Sequence, residues 1–311
     1  MTKPRLLTIV PAKWVGLRTS SLGAAAHVVI EGIDYYRPED IDYALSFYPP
    51  KGLLKTLPNL KAAFCLGAGV DGFLSDPDYP RHVPLVRFVD PTLSAEMAQY
   101  VLMHVLIRHR HQRFFDEAQR NRQWRQMVLP RCTEDTRVGF MGLGQVGGFC
   151  AARVAELGFP VSSWTAHKKD NPPITSFAGD GELTAFLGQT DILVCLLALT
   201  RRTAGILKAG TFAALPAGAF VINAARGAHL IEKDLITALD SGRLSGAALD
   251  VFAAEPLPPT SPLWGHPKVT VTPHIAAISQ PEVVARYVLD GIAAFERGEL
   301  PKDVVDIATA Y

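Results

Sequence analysis

Between Val138 and Thr272, six short apolar runs alternate with helical patterns, and this rhythm constrains the fold more than any other feature of the chain. The runs are Val138–Met141, Val161–Trp164, Ile192–Leu197, Ala219–Asn223, Ala247–Phe252 and Val269–Thr272. Each is short and almost uniformly apolar, so each reads as a strand covered on both faces. Such strands joined by helices predict an α/β architecture with a doubly wound parallel sheet. Residues 1 to about 90 carry further candidate strands at Leu6–Val10, Ala44–Phe47, Ala62–Leu66 and Leu85–Val89. The 311 residues suffice for two domains of ordinary size.

Pro91 marks a break, and Ser94 is expected to open a long helix with Glu96 in its first turn. Met97, Tyr100, Val101, Leu102, Val105 and Leu106 make that helix apolar around much of its girth. This exceeds the stripe of about 100° that a one-sided surface helix needs, so a homodimer is expected to cover the surplus. Residues 108–137 turn polar and charged. His104, His109 and His111 lie there among Arg108, Arg110 and Arg113, whose charge disfavours a metal ion, so no metal site is expected. The arginines read as a solvated or subunit-facing surface. A last amphipathic helix runs from Gln280 to Gly298.

A net charge of +1 argues against a nucleic-acid or membrane-surface partner, either of which would want a basic face. No segment approaches the roughly 20 apolar residues of a membrane helix, and no early run resembles a signal peptide. Cys65, Cys132, Cys150 and Cys195 lack metal-ligand spacing, and three lie in or beside apolar runs. They read as free thiols of a cytoplasmic protein.

The pattern G-x-G-x-x-G occurs twice, as Gly67-Ala68-Gly69-Val70-Asp71-Gly72 and as Gly142-Leu143-Gly144-Gln145-Val146-Gly147. After the first, Asp76-Pro77-Asp78-Tyr79-Pro80 leaves no room for a long helix. Its backbone amides, exposed at a strand end, fit a nest for a carboxylate and equally a plain turn. After the second, Phe149 to Leu157 runs unbroken before Gly158-Phe159-Pro160. That is the strand, tight turn and helix that a dinucleotide pyrophosphate requires, with Gly142, Gly144, Gln145, Val146 and Gly147 facing it. The next strand ends Trp164-Thr165-Ala166-His167-Lys168-Lys169, without the acid that would bind an NAD ribose; Asp170 comes too late. Thr165, His167, Lys168 and Lys169 suit a 2′-phosphate instead, so NADP is the preferred cofactor and NAD the alternative.

Three polar residues follow the later strands: Arg226 after Ala219–Asn223, Glu255 after Ala247–Phe252, and His274 after Val269–Thr272 and Pro273. Ligands of open α/β sheets bind outside the carboxyl ends of strands. A guanidinium, a carboxyl and an imidazole there suit chemistry on a small anion. Trp264 and His266 read as structural. Phe47-Tyr48 fits either a cleft mouth or ordinary packing, and the role of Arg87 is open.

Asn223-Ala224-Ala225-Arg226-Gly227, Ala248-Leu249-Asp250-Val251-Phe252 with Glu255-Pro256, Pro262-Leu263-Trp264 with His266-Pro267, and Thr272-Pro273-His274 recur in the order of a known set. In these signatures the chain resembles the D-isomer-specific 2-hydroxyacid dehydrogenases over nearly its whole length. The resemblance implies two flavodoxin-like or Rossmann-like lobes with parallel sheets and a substrate cleft between them. Residues 1–93 and 280–311 would form the substrate lobe, and residues 94–279 the dinucleotide lobe. It implies reduction of a small 2-keto acid such as glyoxylate or hydroxypyruvate by NADPH or NADH. Arg226 would hold the substrate carboxylate, His274 would donate the proton and Glu255 would orient His274. Gly69 and Val70 would also bind the carboxylate, while Ala224 and Asp250 would lie on the cofactor side, Asp250 beside the nicotinamide carboxamide. The same resemblance implies pairing through the dinucleotide lobes. The alternatives are an NAD-dependent dehydrogenase of another D-2-hydroxy acid, or a regulator that senses dinucleotide. A regulator of that kind is expected to carry long disordered tails, whereas this chain stops at Tyr311, soon after its last helix.

Overall fold

The structure is a computed structural model that describes residues 3–10, 16–18, 20–67, 69–89, 91–169, 172–301 and 303–307. Ala68 of the first glycine motif and Asp170 lie outside the described residues. The chain divides into two compact units, residues 1–90 with 279–311, and residues 91–278.

The first unit is built on a five-stranded sheet of β1 (Arg5–Ile9), β2 (His27–Ile30), β3 (Tyr43–Ser46), β4 (Ala62–Cys65) and β5 (Leu85–Arg87). The strands run in the order β2-β1-β3-β4-β5, all parallel. This is the flavodoxin-like order. Two short helices, α1 (Ser21–Ala25) and α2 (Asp71–Leu74), interrupt the strands. β2 escapes sequence reading because its buried core is only Val28-Val29-Ile30 after an exposed His27.

The second unit holds the helices α3 (Pro91–His109), α4 (Gln112–Arg120), α5 (Gln145–Glu156), α6 (Gly179–Gly188), α7 (Ala209–Ala214) and α8 (Glu232–Asp240). Its strands are β6 (Val138–Met141), β7 (Val161–Thr165), β8 (Thr175–Ala178), β9 (Ile192–Cys195), β10 (Ala219–Asn223), β11 (Leu244–Leu249) and β12 (Val269–Val271). The seven strands pair in the parallel order β12-β11-β10-β9-β6-β7-β8. The order reverses at β6, so the glycine turn after β6 lies at the topological switch point. β6, β7, β9 and β10 are buried at every position, as their apolar runs predict. The final helix, α9 (Pro281–Glu296), returns to the first unit. There Gly291 lets it approach β4, since a Cβ at that position would stand 2.5 Å from the Phe64 ring.

Several expected boundaries move. The long helix starts at Pro91, not Ser94, and Ser94 is buried inside it. Proline suits a first helical turn, where its missing N–H has no partner to lose. The unit boundary moves with it, to between residues 90 and 91. β11 starts at Leu244, ahead of the apolar run, where Gly246 permits a close approach to Phe220 and the Lys268 carbonyl, and it ends at Leu249. Asp250 to Phe252 therefore leave the sheet. β8 was not anticipated, since Thr175-Ser176-Phe177-Ala178 is a half-exposed edge strand without an apolar run. The apolar girth of α3 is mostly satisfied within the chain. Met97, Tyr100, Val101 and Val105 share a core with Cys150, Ala151 and Val154 of α5. Arg108 and Arg113 are also not purely surface groups. Arg108 donates to the Gly218 carbonyl at 3.1 Å and Arg113 to that of Pro267 at 2.8 Å, fastening the helices to loops of the sheet.

Candidate active site

The turn after β6 has the properties that bind a pyrophosphate. Gly142 sits at φ 101°, and a Cβ there would lie 2.7 Å from the Leu196 carbonyl oxygen. A Cβ on Gly147 would lie 2.2 Å from the Gly142 carbonyl, so that position packs helix against strand. Gly144, the cap residue of α5, differs: a Cβ there would meet nothing within 4 Å. The backbone is therefore open to an approaching group, and Gln145 and Val146 begin the helix beside it. The first N–H groups of a helix lack intrahelical acceptors and favour an anion. These residues fit a dinucleotide.

At the end of β7 the Thr165 hydroxyl donates to the His167 carbonyl at 2.5 Å, and Thr165 is buried. This bond closes the turn on itself. His167, Lys168 and Lys169 are exposed. The Lys169 ammonium reaches the Leu143 carbonyl at 2.8 Å, which brings the basic turn beside the glycine turn.

The ends of β10, β11 and β12 assemble the polar set. Asn223 is fully buried, and its side chain folds the next turn by bonding the Arg226 carbonyl and the Ala225 amide. Gly227 then lies directly on the Phe252 carbonyl group, 1.9 Å from where a Cβ would stand. That approach joins the Arg226 turn to the loop after β11. In that loop the Phe252 amide donates to Glu255 Oε1 at 2.9 Å, leaving Oε2 for His274 Nδ1 at 2.7 Å. Burial works against ionisation of Glu255. The bonds from His274 and Phe252, and the charges of His274 and Arg226, outweigh it and hold the carboxyl below its ordinary range. The His274 side chain keeps 45% of its surface exposed. Its Nδ1 is committed to Glu255, so its chemistry faces outward through Nε2.

Asp250 sits between these groups, 1% exposed. Its carboxylate accepts from Thr272 Oγ1 at 2.6 Å and from the amides of Ile275 and Ala276, each at 2.9 Å. Tyr100 of α3 reaches Thr272 Oγ1 at 2.9 Å. The sequence reading missed this network. In the sequence Thr272 reads as a strand residue and Tyr100 as part of an apolar helix. The one available signal was a hydroxyl two residues before the histidine. Ala224, buried at the end of β10, belongs to the core beneath the glycine turn.

In the first unit, Gly69 and Val70 follow β4, and Val70 is buried at the start of α2. A Cβ on Gly72 would stand 2.4 Å from the Phe47 carbonyl and from the Tyr48 ring. Phe47-Tyr48 therefore lies directly on this glycine loop. Arg87 has its backbone engaged by Asp303 and by the Tyr287 hydroxyl. Among the described residues, no group of three or more His, Cys, Asp or Glu could hold a metal, and no helix is long and apolar enough to cross a membrane.

The second unit is thus a dinucleotide-binding α/β fold whose strand ends carry a hydrogen-bonded imidazole–carboxylate pair beside an arginine, a layout that suits a pyridine-nucleotide oxidoreductase. Residues 102–276 match the D-isomer specific 2-hydroxyacid dehydrogenase NAD binding domain, and the chain belongs to that family. It is 42% identical to glyoxylate/hydroxypyruvate reductase A of Yersinia enterocolitica, over 87% of this chain and 88% of the relative. Among solved structures it is similar to the NADPH-dependent glyoxylate/hydroxypyruvate reductase of Sinorhizobium meliloti in complex with NADP and sulfate. That match has a TM-score of 0.91 and 37% identity, and covers 99% of this chain and 100% of the other. A D-isomer specific 2-hydroxyacid dehydrogenase of Xanthobacter autotrophicus in complex with NADPH and MES is also 37% identical. Its TM-score is 0.89, with both chains fully covered.

Proposed function

We propose that this protein reduces small 2-keto acids, glyoxylate and hydroxypyruvate foremost, to 2-hydroxy acids with NADPH as reductant. The observation that carries the reading is the 2.7 Å bond between His274 Nδ1 and Glu255, beside the charge of Arg226. When bound, the reduced nicotinamide supplies the hydride. The rest falls to the chain. Arg226 presents a planar fork suited to a carboxylate. Glu255, ionised at neutral pH, accepts the Nδ1–H of His274 and fixes the ring. His274 then gives its Nε2 proton to the keto oxygen as negative charge builds there, and the neutral ring keeps its Nδ1–H on Glu255.

Gly69 and Val70 are proposed as a carboxylate-binding nest of the first unit, from the strand-end glycine loop they occupy. NADPH is preferred because the turn after β7 offers His167, Lys168 and Lys169 and no acid among its described residues. Asp250 is assigned to the nicotinamide side through its place between β11 and the His274 loop. The four free cysteines agree with a reducing, cytoplasmic setting.

The test is His274→Ala, assayed with glyoxylate. Turnover is expected to drop by about 10²–10⁴-fold, the range of a lost general acid. NADPH affinity should stay near the parent's and remain tighter than that for NADH. Turnover close to the parent's would remove His274 from the reaction.

A further inference from the structure

His274 adopts φ 55°, in the left-handed region that a residue with a Cβ enters only when its surroundings impose it. Asp250 imposes it. Its main-chain carbonyl accepts the His274 amide at 2.9 Å. Its carboxylate gathers the next two amides, Ile275 and Ala276, along with the Thr272 hydroxyl. The loop on both sides of His274 is thereby wrapped around one buried anion.

The direction of the remaining bond follows from proton count. Thr272 has one hydroxyl proton, and it is committed to Asp250. In the 2.9 Å contact between Tyr100 and Thr272 the tyrosine must therefore donate. A one-way chain results, from Tyr100 to Thr272 to Asp250. Its root is α3, which shares a core with α5, the helix of the glycine turn. His104, edge-on to the Tyr100 ring at 4.5 Å, is pushed by burial down to about 4 and stays neutral. The buried chain thus carries a single charge, on Asp250.

We propose that Tyr100 and Thr272 are positioning residues for proton donation: their hydroxyl chain fixes the Asp250 carboxylate, which holds the His274 loop so that the imidazole stays on Glu255. The proposal rests on the reading of His274 as the proton donor. The geometry makes the two hydroxyls act in series, and this separates them from ordinary core packing. Series action means that removing the second link after the first costs nothing more.

The experiment compares Tyr100→Phe, Thr272→Val, Thr272→Ser and the Tyr100→Phe/Thr272→Val pair with the parent and with His274→Ala. Glyoxylate and NADPH are the substrates, and amide hydrogen exchange is followed at Ile275 and Ala276. Thr272→Val is expected to lower kcat by about 5- to 50-fold, as for loss of a hydrogen bond to a buried charge. Affinity for 2′-phospho-ADP-ribose, which lacks the nicotinamide that Asp250 is assigned to, should change by no more than about twofold, because the glycine turn is untouched. Exchange at both amides should quicken. Thr272→Ser, which keeps the hydroxyl, should restore most of kcat. The double variant should be no worse than Thr272→Val alone.

Parental kcat in Thr272→Val overturns the proposal, whether or not exchange quickens. Losses that multiply in the double variant overturn the series chain. An inactive His274→Ala beside a fully active Thr272→Val removes the clamp alone. A fully active His274→Ala removes the proton-donor reading itself, and with it the clamp's link to catalysis.

Discussion

Gly227 shows how much of this site depends on the absence of a single carbon. The residue sits between Arg226 and the core, and its Cα faces the Phe252 carbonyl group so closely that a Cβ would stand 1.9 Å away. The obstruction is backbone, so no side chain can swing aside. Gly227→Ala must push the Arg226 turn away from the loop whose Phe252 amide holds Glu255. Overpacking of this kind costs about 1–3 kcal/mol. The expected outcome is a lower Tm by thermal denaturation and a larger proportional loss in kcat/KM for glyoxylate, because both flanking groups move. Unchanged kinetics would show that the turn and the loop need not touch. At this scale the sequence was informative where chemistry demands a residue type. Arg226, Glu255 and His274 stand out because charged groups after apolar strand ends have no structural reason to be there. Asp250 and Thr272 were harder to read. A buried carboxylate that accepts three hydrogen bonds has the same letter as one that faces a ligand, and only geometry separates the two roles.

Among the elements, most strands that the sequence reveals are buried on both faces; the exception is β12, which its apolar run marks as covered but which lies at the sheet edge, half-buried at all three positions. Val161 to Trp164 and Ala219 to Asn223 announce themselves, whereas the edge strand β8 mixes threonine, serine and phenylalanine at half burial and does not. Helix α4 was hidden inside a charged stretch, separated from α3 by His111 at φ 53°. The sheet is also tied by charge at the N-terminal ends of its central strands β6 and β9, remote from the glycine turn. Asp191, just before β9, accepts from the Arg137 amide and guanidinium at 2.8–3.0 Å, while Arg131 adds a contact at 2.7 Å. Burial alone would raise the Asp191 carboxyl, but the Arg137 and Arg131 bonds hold it below its ordinary range. A depressed folded-state pKa gives stability that is fully present above the unfolded value of about 3.9 and is lost as pH falls through the folded value. Asp191→Asn should therefore cost about 1–3 kcal/mol at neutral pH. A unit of this size loses roughly 2–4 °C in Tm per kcal/mol. The gap to the parent should close only below about pH 4, and kcat at neutral pH should hold. A gap that stays constant through the acid range would assign the loss to packing instead.

At the scale of the whole molecule, the remaining question is what covers the apolar surface that one chain leaves open. The expectation of a homodimer began with the apolar girth of α3, yet most of that girth packs on α5 within the chain. What stays open is smaller and lies elsewhere as well. Met103 and Leu106 of α3 are 45% and 38% exposed. Beyond α4, residues 121–132 run in irregular, mostly exposed backbone that carries Trp124 and Val128, each 93% exposed. Large side chains so fully in water are uncommon on a monomer and mark association surfaces when they gather in one segment. A second copy of the chain is the occupant we favour, because a twofold axis lets one such segment meet its own copy. Light scattering at micromolar concentration should then give about twice 33.7 kDa. The variant Trp124→Ser with Val128→Asp should shift that mass toward the monomer while the far-ultraviolet circular dichroism of the chain is retained. A parent that scatters as a monomer would end the dimer proposal. A variant that stays dimeric would move the interface away from residues 121–132 and back to the exposed side of α3.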